Sequence, residues 1–186
     1  MRRGSGSSLL RSRRGRGFAV ALAGIAVALL LTGCGAQTSP GAATGPSGGS
    51  AAGSSFPSTT VRTVSGTNLT VPNNKPALFY FFTASCSSCV TGAKSVGAGV
   101  AKAGSGVQAV AVDLDPGEPV NIINGFMQDV GNPPLSVVRD DGTLLKRFNV
   151  DALGLTMVLD KAGRVVYRGV DPSAAQTAQA IAAAGS

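Results

Sequence analysis

Two cysteines three residues apart, Cys86 and Cys89, stand just after an unbroken apolar run from Ala77 to Phe82. Six apolar residues in a row read as a strand covered on both faces. From Ser87 to about Ala103 the pattern changes. Val90, Ala93, Val96, Gly97 and Val100 fall on one face of a helix. A CxxC at a strand-to-helix junction is a redox motif before it is anything else. The first unpaired amides of such a helix, around Ser88 and Cys89, can point at the Cys86 sulfur, and the helix dipole favours its anion. Nothing else in the chain looks able to do chemistry. There is no histidine among the 186 residues, which removes the commonest acid/base and the commonest neutral metal ligand.

The remaining segments place that junction in a larger sheet. Val61 to Ser65 and Asn68 to Val71 flank Gly66 and predict a short hairpin. Val107 to Val112 predicts a second buried strand, Val120 to Val130 a helix, and Leu135 to Val138 a short strand ended by an Asp140-Asp141-Gly142 turn. Leu144 to Val150 is mixed. Leu155 to Leu159 predicts a strand that turns at Asp160 to Gly163 and pairs back with Arg164 to Arg168. Pro172 to Ala184 predicts a closing helix with proline in its first turn. A βαβ unit followed by further strands and a helix points to an α/β sheet with helices on both faces. Gly92, Gly97 and Gly99 each cost the first helix up to about 1 kcal/mol against alanine, so packing must hold it.

The formal charge of +7 is misleading. Six of the sixteen basic residues lie in the first sixteen positions, and all nine acids lie after residue 112. Without that N-terminus ten basic residues face nine acids, which gives no support to a nucleic-acid surface. The arginine-rich start leads into fourteen apolar residues, Phe18 to Leu31. A membrane-spanning helix wants about twenty, so the run has the length of a secretory signal core. It ends in Leu31-Thr32-Gly33-Cys34, which resembles the bacterial lipobox. That resemblance implies a signal peptide over 1–33, cleavage before Cys34 and lipidation of Cys34. An uncleaved anchor is the competing reading. Residues 34–60 then form a lipidated cysteine and a Gly/Ala/Ser/Pro linker, and 61–186 the folded domain. Two acyl signals would hold the domain at the outer face of the bacterial cytoplasmic membrane, where disulfides persist.

The order of elements, the Ala77–Val90 segment with its CxxC, and the run from Phe148 through Leu155–Leu159 to Asp160-Lys161-Ala162-Gly163-Arg164 together resemble the thioredoxin-like proteins of the TlpA/ResA type. The resemblance implies a thioredoxin-like fold, a central mixed sheet flanked by helices. It implies a membrane-tethered, extracytoplasmic thiol-disulfide oxidoreductase in which Cys86 attacks and Cys89 resolves. Its partners would be protein disulfide or dithiol substrates, such as secreted or cytochrome-maturation proteins, and an integral-membrane electron donor. It implies no cofactor. The substrate-binding proline of the family falls at Gly154, so Gly154 and Leu155 are the expected substrate-binding positions. The acid that thioredoxins often bury ahead of the CxxC falls at Tyr80.

Alternatives stay open at this stage. Cys86 and Cys89 could form a structural disulfide in a non-catalytic binding lipoprotein, or the chain could be a disulfide-forming oxidase. A zinc or iron–sulfur site wants about four ligands, more than two thiols supply, so no metal is expected. Asp113, at the end of a predicted strand, is a weak candidate general base for Cys89 and reads more readily as a capping or turn acid.

Overall fold

β3, Ala77–Phe82, is the middle strand of a five-stranded sheet and is buried along its whole length. The computed structural model describes residues 55–186. The signal peptide over 1–33, the Cys34 lipidation site and the linker through residue 54 lie outside the described residues. No helix among the described residues is long and apolar enough to cross a membrane.

The sheet order is β5-β4-β3-β6-β7. β4 (Gln108–Asp113) and β5 (Ser136–Arg139) extend β3 in parallel on one side. β6 (Leu155–Leu159) and β7 (Val165–Val170) extend it antiparallel on the other. The sheet is therefore mixed, as expected. Alternation along β3 divides its side chains between two cores. Leu78, Tyr80 and Phe82 face α1 (Ser87–Ala103), α2 (Val120–Asp129) and α4 (Ala174–Gly185). Phe79 and Phe81 face the short helix α3 (Thr143–Arg147) through Leu144 and Phe148, and the hairpin of β1 (Thr59–Arg62) and β2 (Asn68–Val71).

The glycines of α1 are close-approach residues. A Cβ at Gly99 would overlap the Thr177 side chain of α4, and one at Gly97 would overlap Pro133. Close packing against α4 at Gly99 and against Pro133 at Gly97 thus offsets the helix propensity lost at these positions. α4 is capped by Ser173, whose hydroxyl accepts from Gln176 N at 3.2 Å while Gln176 Oε1 accepts from Ser173 N at 2.9 Å.

Several boundaries differ from the sequence expectation; α4 begins at Ala174 behind its Ser173 cap, so Pro172 precedes the first turn instead of lying in it. The folded region begins upstream of Val61. β1 starts at Thr59, Ser55 bridges Arg164, and Phe56 packs edge-on to Phe148 at 4.7 Å while its amide donates to Gly163 O. A single aromatic in a Gly/Ser/Pro stretch found an apolar niche that composition alone did not announce. The mixed segment 144–150 holds α3, whose first amides at Leu144 and Leu145 donate to the two carboxylate oxygens of buried Asp140, each at 2.9 Å. The expected turn acid is therefore a helix cap. β7 also runs two residues further than expected, to Val170.

Candidate active site

Cys86 is the N-cap of α1, with extended backbone at φ −84°, ψ 104°. Its sulfur accepts from the Cys89 amide at 3.2 Å and lies 3.3 Å from the Ser88 hydroxyl. The position expected for a thiolate beside the first-turn amides is the one observed. Cys86 and Cys89 are joined as a disulfide, with Cα atoms 5.3 Å apart. Cys86 is half-buried and Cys89 is 1% exposed. One sulfur therefore faces solvent and the other stands behind it, the asymmetry that an attacking and a resolving thiol require.

Tyr80, at the position of the family's buried acid, lies under the same turn. Its hydroxyl donates to the Cys89 carbonyl at 2.8 Å. Burial, with a contribution from the negative Asp171, pushes the phenol above its ordinary range, against the opposing Ala93 amide. It is a fixed neutral donor that ties β3 to α1, and no proton leaves it near neutral pH.

Acids reach the site from two other places. Asp113, at the end of β4, is fully buried. Its Oδ1 accepts from Asp115 N at 3.3 Å, so it does serve as a turn acid. Its Oδ2 has no donor among the described residues, and the Asp113 carboxyl lies beside that of Glu118. Burial first, then the charge of Glu118, lift its carboxyl to about 7 against the pull of the Asp115 amide. One proton held between the two acids satisfies both. Glu118 in turn accepts from Ala84 N at 2.8 Å, two residues before Cys86, and its backbone carbonyl accepts from Arg139 Nη1 at 2.8 Å. The carboxyl pair is a strut beneath the loop that leads into Cys86.

Asp171 follows β7 and sits at φ 45°, a left-handed conformation that Asp and Asn tolerate. Its amide donates to Gly154 O at 2.9 Å, while Gly154 N donates to Phe81 O at 2.8 Å. A Cβ on Gly92 would overlap both Asp171 Oδ1 and the Tyr80 hydroxyl, and a Cβ on Gly154 would overlap the Asp171 carboxylate. The two glycines make room for this acid. Burial raises its carboxyl above the usual range.

The structure places Gly154 and Leu155, the expected substrate-binding positions, at this edge of the sheet. Both backbone polar groups of Gly154 are already used, and Leu155 is 2% exposed in the Phe79–Phe81 core. The peptide bonds leading directly into β6 are trans, and the cis bond among the described residues joins Val71 and Pro72. Two larger hollows, of about 260 and 380 Å³, lie at the β1–β2 hairpin and the β5 edge, and neither is lined by a thiol.

The chain is 38% identical over 130 residues to the mercury resistance operon ORF3 protein of Streptomyces lividans, covering 68% of this chain and 69% of that one. It belongs to the same family. No family model matches the chain. Among solved structures it is similar to StoA from Bacillus subtilis, with a TM-score of 0.58 at 19% identity over 67% of this chain and 96% of that one. It is also similar to a secreted Mycobacterium tuberculosis disulfide oxidoreductase homologous to E. coli DsbE, with a TM-score of 0.57 at 24% identity over 67% and 95%. A thioredoxin-like protein from Aeropyrum pernix gives a TM-score of 0.57 at 24% identity over 68% and 89%. The fold is thioredoxin-like, of the type that carries thiol-disulfide oxidoreductases, and this chain has its CxxC at the tip of α1.

Proposed function

We propose that this protein is an extracytoplasmic thiol-disulfide oxidoreductase, held to the outer face of the membrane by lipid on Cys34, and that it works as a reductase. The observation that carries the reading is the Cys86 sulfur, partly exposed at the helix tip, with Cys89 sealed behind it. In the reduced protein the Cys86 thiolate attacks a substrate disulfide. A Cys86–substrate bond forms and one substrate thiolate leaves. Cys89 gives up its proton and attacks the Cys86 sulfur, which restores the intramolecular disulfide and releases the second substrate thiol. Two electrons pass to the substrate, and a dithiol donor in the membrane returns them.

Local charge supports the direction. A strongly oxidising pair needs a heavily stabilised thiolate. Here the Cys86 sulfur has one amide, one hydroxyl and the helix dipole, while carboxyl groups stand nearby. The nearest basic residues in sequence are Lys75 and Lys94. The test is a glutathione titration of the Cys86–Cys89 couple, together with reduction of a protein disulfide and Cys86→Ser as control. A potential around −250 mV with turnover lost in the variant is expected. A couple near −120 mV would instead mark an oxidase, and one far below −300 mV without turnover a structural disulfide.

The mercury resistance operon of the Streptomyces relative favours a second reading, in which the reduced pair binds a soft, thiophilic cation. Two thiolates suffice for a linear two-coordinate ion. Titration of the reduced chain with mercuric ion, followed by thiolate-to-metal absorption, should saturate at one ion per chain if this holds, and Cys89→Ser should abolish the signal.

A further inference from the structure

Asp171 has no ion-pair partner among the described residues. Its carboxylate closes one end of a hollow of about 220 Å³ lined by Ser88, Thr91, Gly92 and Ser95 of α1. Ser88 is also the residue whose hydroxyl lies 3.3 Å from the Cys86 sulfur, so the hollow adjoins the attacking atom. Pockets for free small molecules run from about 300 Å³ upward. This one is smaller, and of a size to take one side chain from a polypeptide whose cysteine is in reaction. Its only ionisable lining group is an acid, surrounded by three hydroxyls that can accept hydrogen bonds.

The carboxylate is built into place. Gly92 and Gly154 each lack the Cβ that would collide with it, and Asp171 is pinned by its own amide to Gly154 O in a left-handed turn. Asp171 is exposed at the rim, so an arriving cation can reach its carboxylate from solvent. Both Gly154 backbone groups are engaged, so recognition at this edge of the site falls to side chains. We infer that this hollow is a subsite for a cationic side chain, a lysine or arginine near the reacting cysteine of the polypeptide substrate, with Asp171 as the residue that selects it.

The substrate in this inference rests on the oxidoreductase reading, so the experiment has two arms. In the first, the full chain in detergent, with its disulfide intact, is titrated with a cysteine-free lysine peptide and with its norleucine counterpart. Backbone amide shifts are followed by NMR. Saturable shifts at Ser88, Thr91 and Ser95 with lysine alone, lost in Asp171→Asn, are expected. In the second arm, kcat/KM is measured for disulfide peptides carrying lysine or norleucine one to three residues from the cysteine. A lysine preference of up to roughly five-fold is expected from a solvent-accessible ion pair. It should shrink with salt and fall to about unity in Asp171→Asn, which keeps the left-handed backbone. Lysine-specific shifts without turnover would sink the oxidoreductase reading and uphold the subsite. Turnover with no lysine preference, or with a preference that survives Asp171→Asn, would uphold the oxidoreductase reading and overturn the subsite.

Discussion

Replacing Asp113 with Asn should change how stability depends on pH. In the folded chain the Asp113 carboxyl is lifted to about 7, chiefly by burial and then by Glu118, from an ordinary value of 3.8. Between those two values the folded protein holds a proton that the unfolded chain has released. The unfolded state binds fewer protons, so stability falls as pH rises through this window, by about 1.4 kcal/mol per unit, and levels off above the folded value. From pH 5 to pH 7 the loss is about 2 kcal/mol, because the slope already flattens near the folded value. Asn keeps an oxygen for the Asp115 amide and places an NH₂ group at the Oδ2 position, beside the Glu118 carboxyl. It mimics the protonated acid permanently, so its curve should lack this fall. The assay is urea unfolding of both proteins from pH 5 to pH 8 with the disulfide intact. The absence of histidine keeps other titrations in this range few. Asp171 is also raised, so the difference between the two proteins isolates Asp113 better than the wild-type curve alone. An equal fall in both, or a flat wild-type curve, would refute the shared-proton account.

Three other substitutions follow from the same geometry. Gly154→Pro should destabilise by about 3 kcal/mol or more, because φ +80° is closed to proline and the amide bonded to Phe81 O is lost; a thermal melt at or above wild type would show that the loop is built differently. Glu118→Ala should cost about 1–3 kcal/mol by stranding Ala84 N, and should slow reaction of Cys86 with a disulfide probe; unchanged values in both would remove the strut beneath the active-site loop. Tyr80→Phe should lose about 1 kcal/mol of stability with the bond to Cys89 O, while turnover falls by no more than a few-fold; a thousand-fold loss would mean that the phenol carries a proton in the reaction.

What the sequence disclosed was local. β3, α1 and β6 were legible because an apolar run or a helical face shows itself within a few residues, and α1 and β6 have the expected boundaries. α3 was hidden because five residues give little periodicity and its cap, Asp140, also fits a turn. The acids of the site were hidden for a different reason. Glu118 and Asp171 reach the CxxC across 29 and 82 positions counted from Cys89, and nothing near either one in sequence refers to a thiol. The signal that did exist was negative. Gly92 in a helix it weakens, and Gly154 where the family carries proline, are side chains missing from the edge of an active site. In a close-packed protein a side chain absent at such a point leaves space that another must fill. Here both gaps are filled by one carboxylate. With Tyr80 in place of the acid ahead of the CxxC, negative charge still reaches the site, but from the ends of β4 and β7 instead of from β3. It therefore acts from the rim and from beneath the loop, where it can choose a substrate and steady Cys86, while the core behind Cys89 stays uncharged.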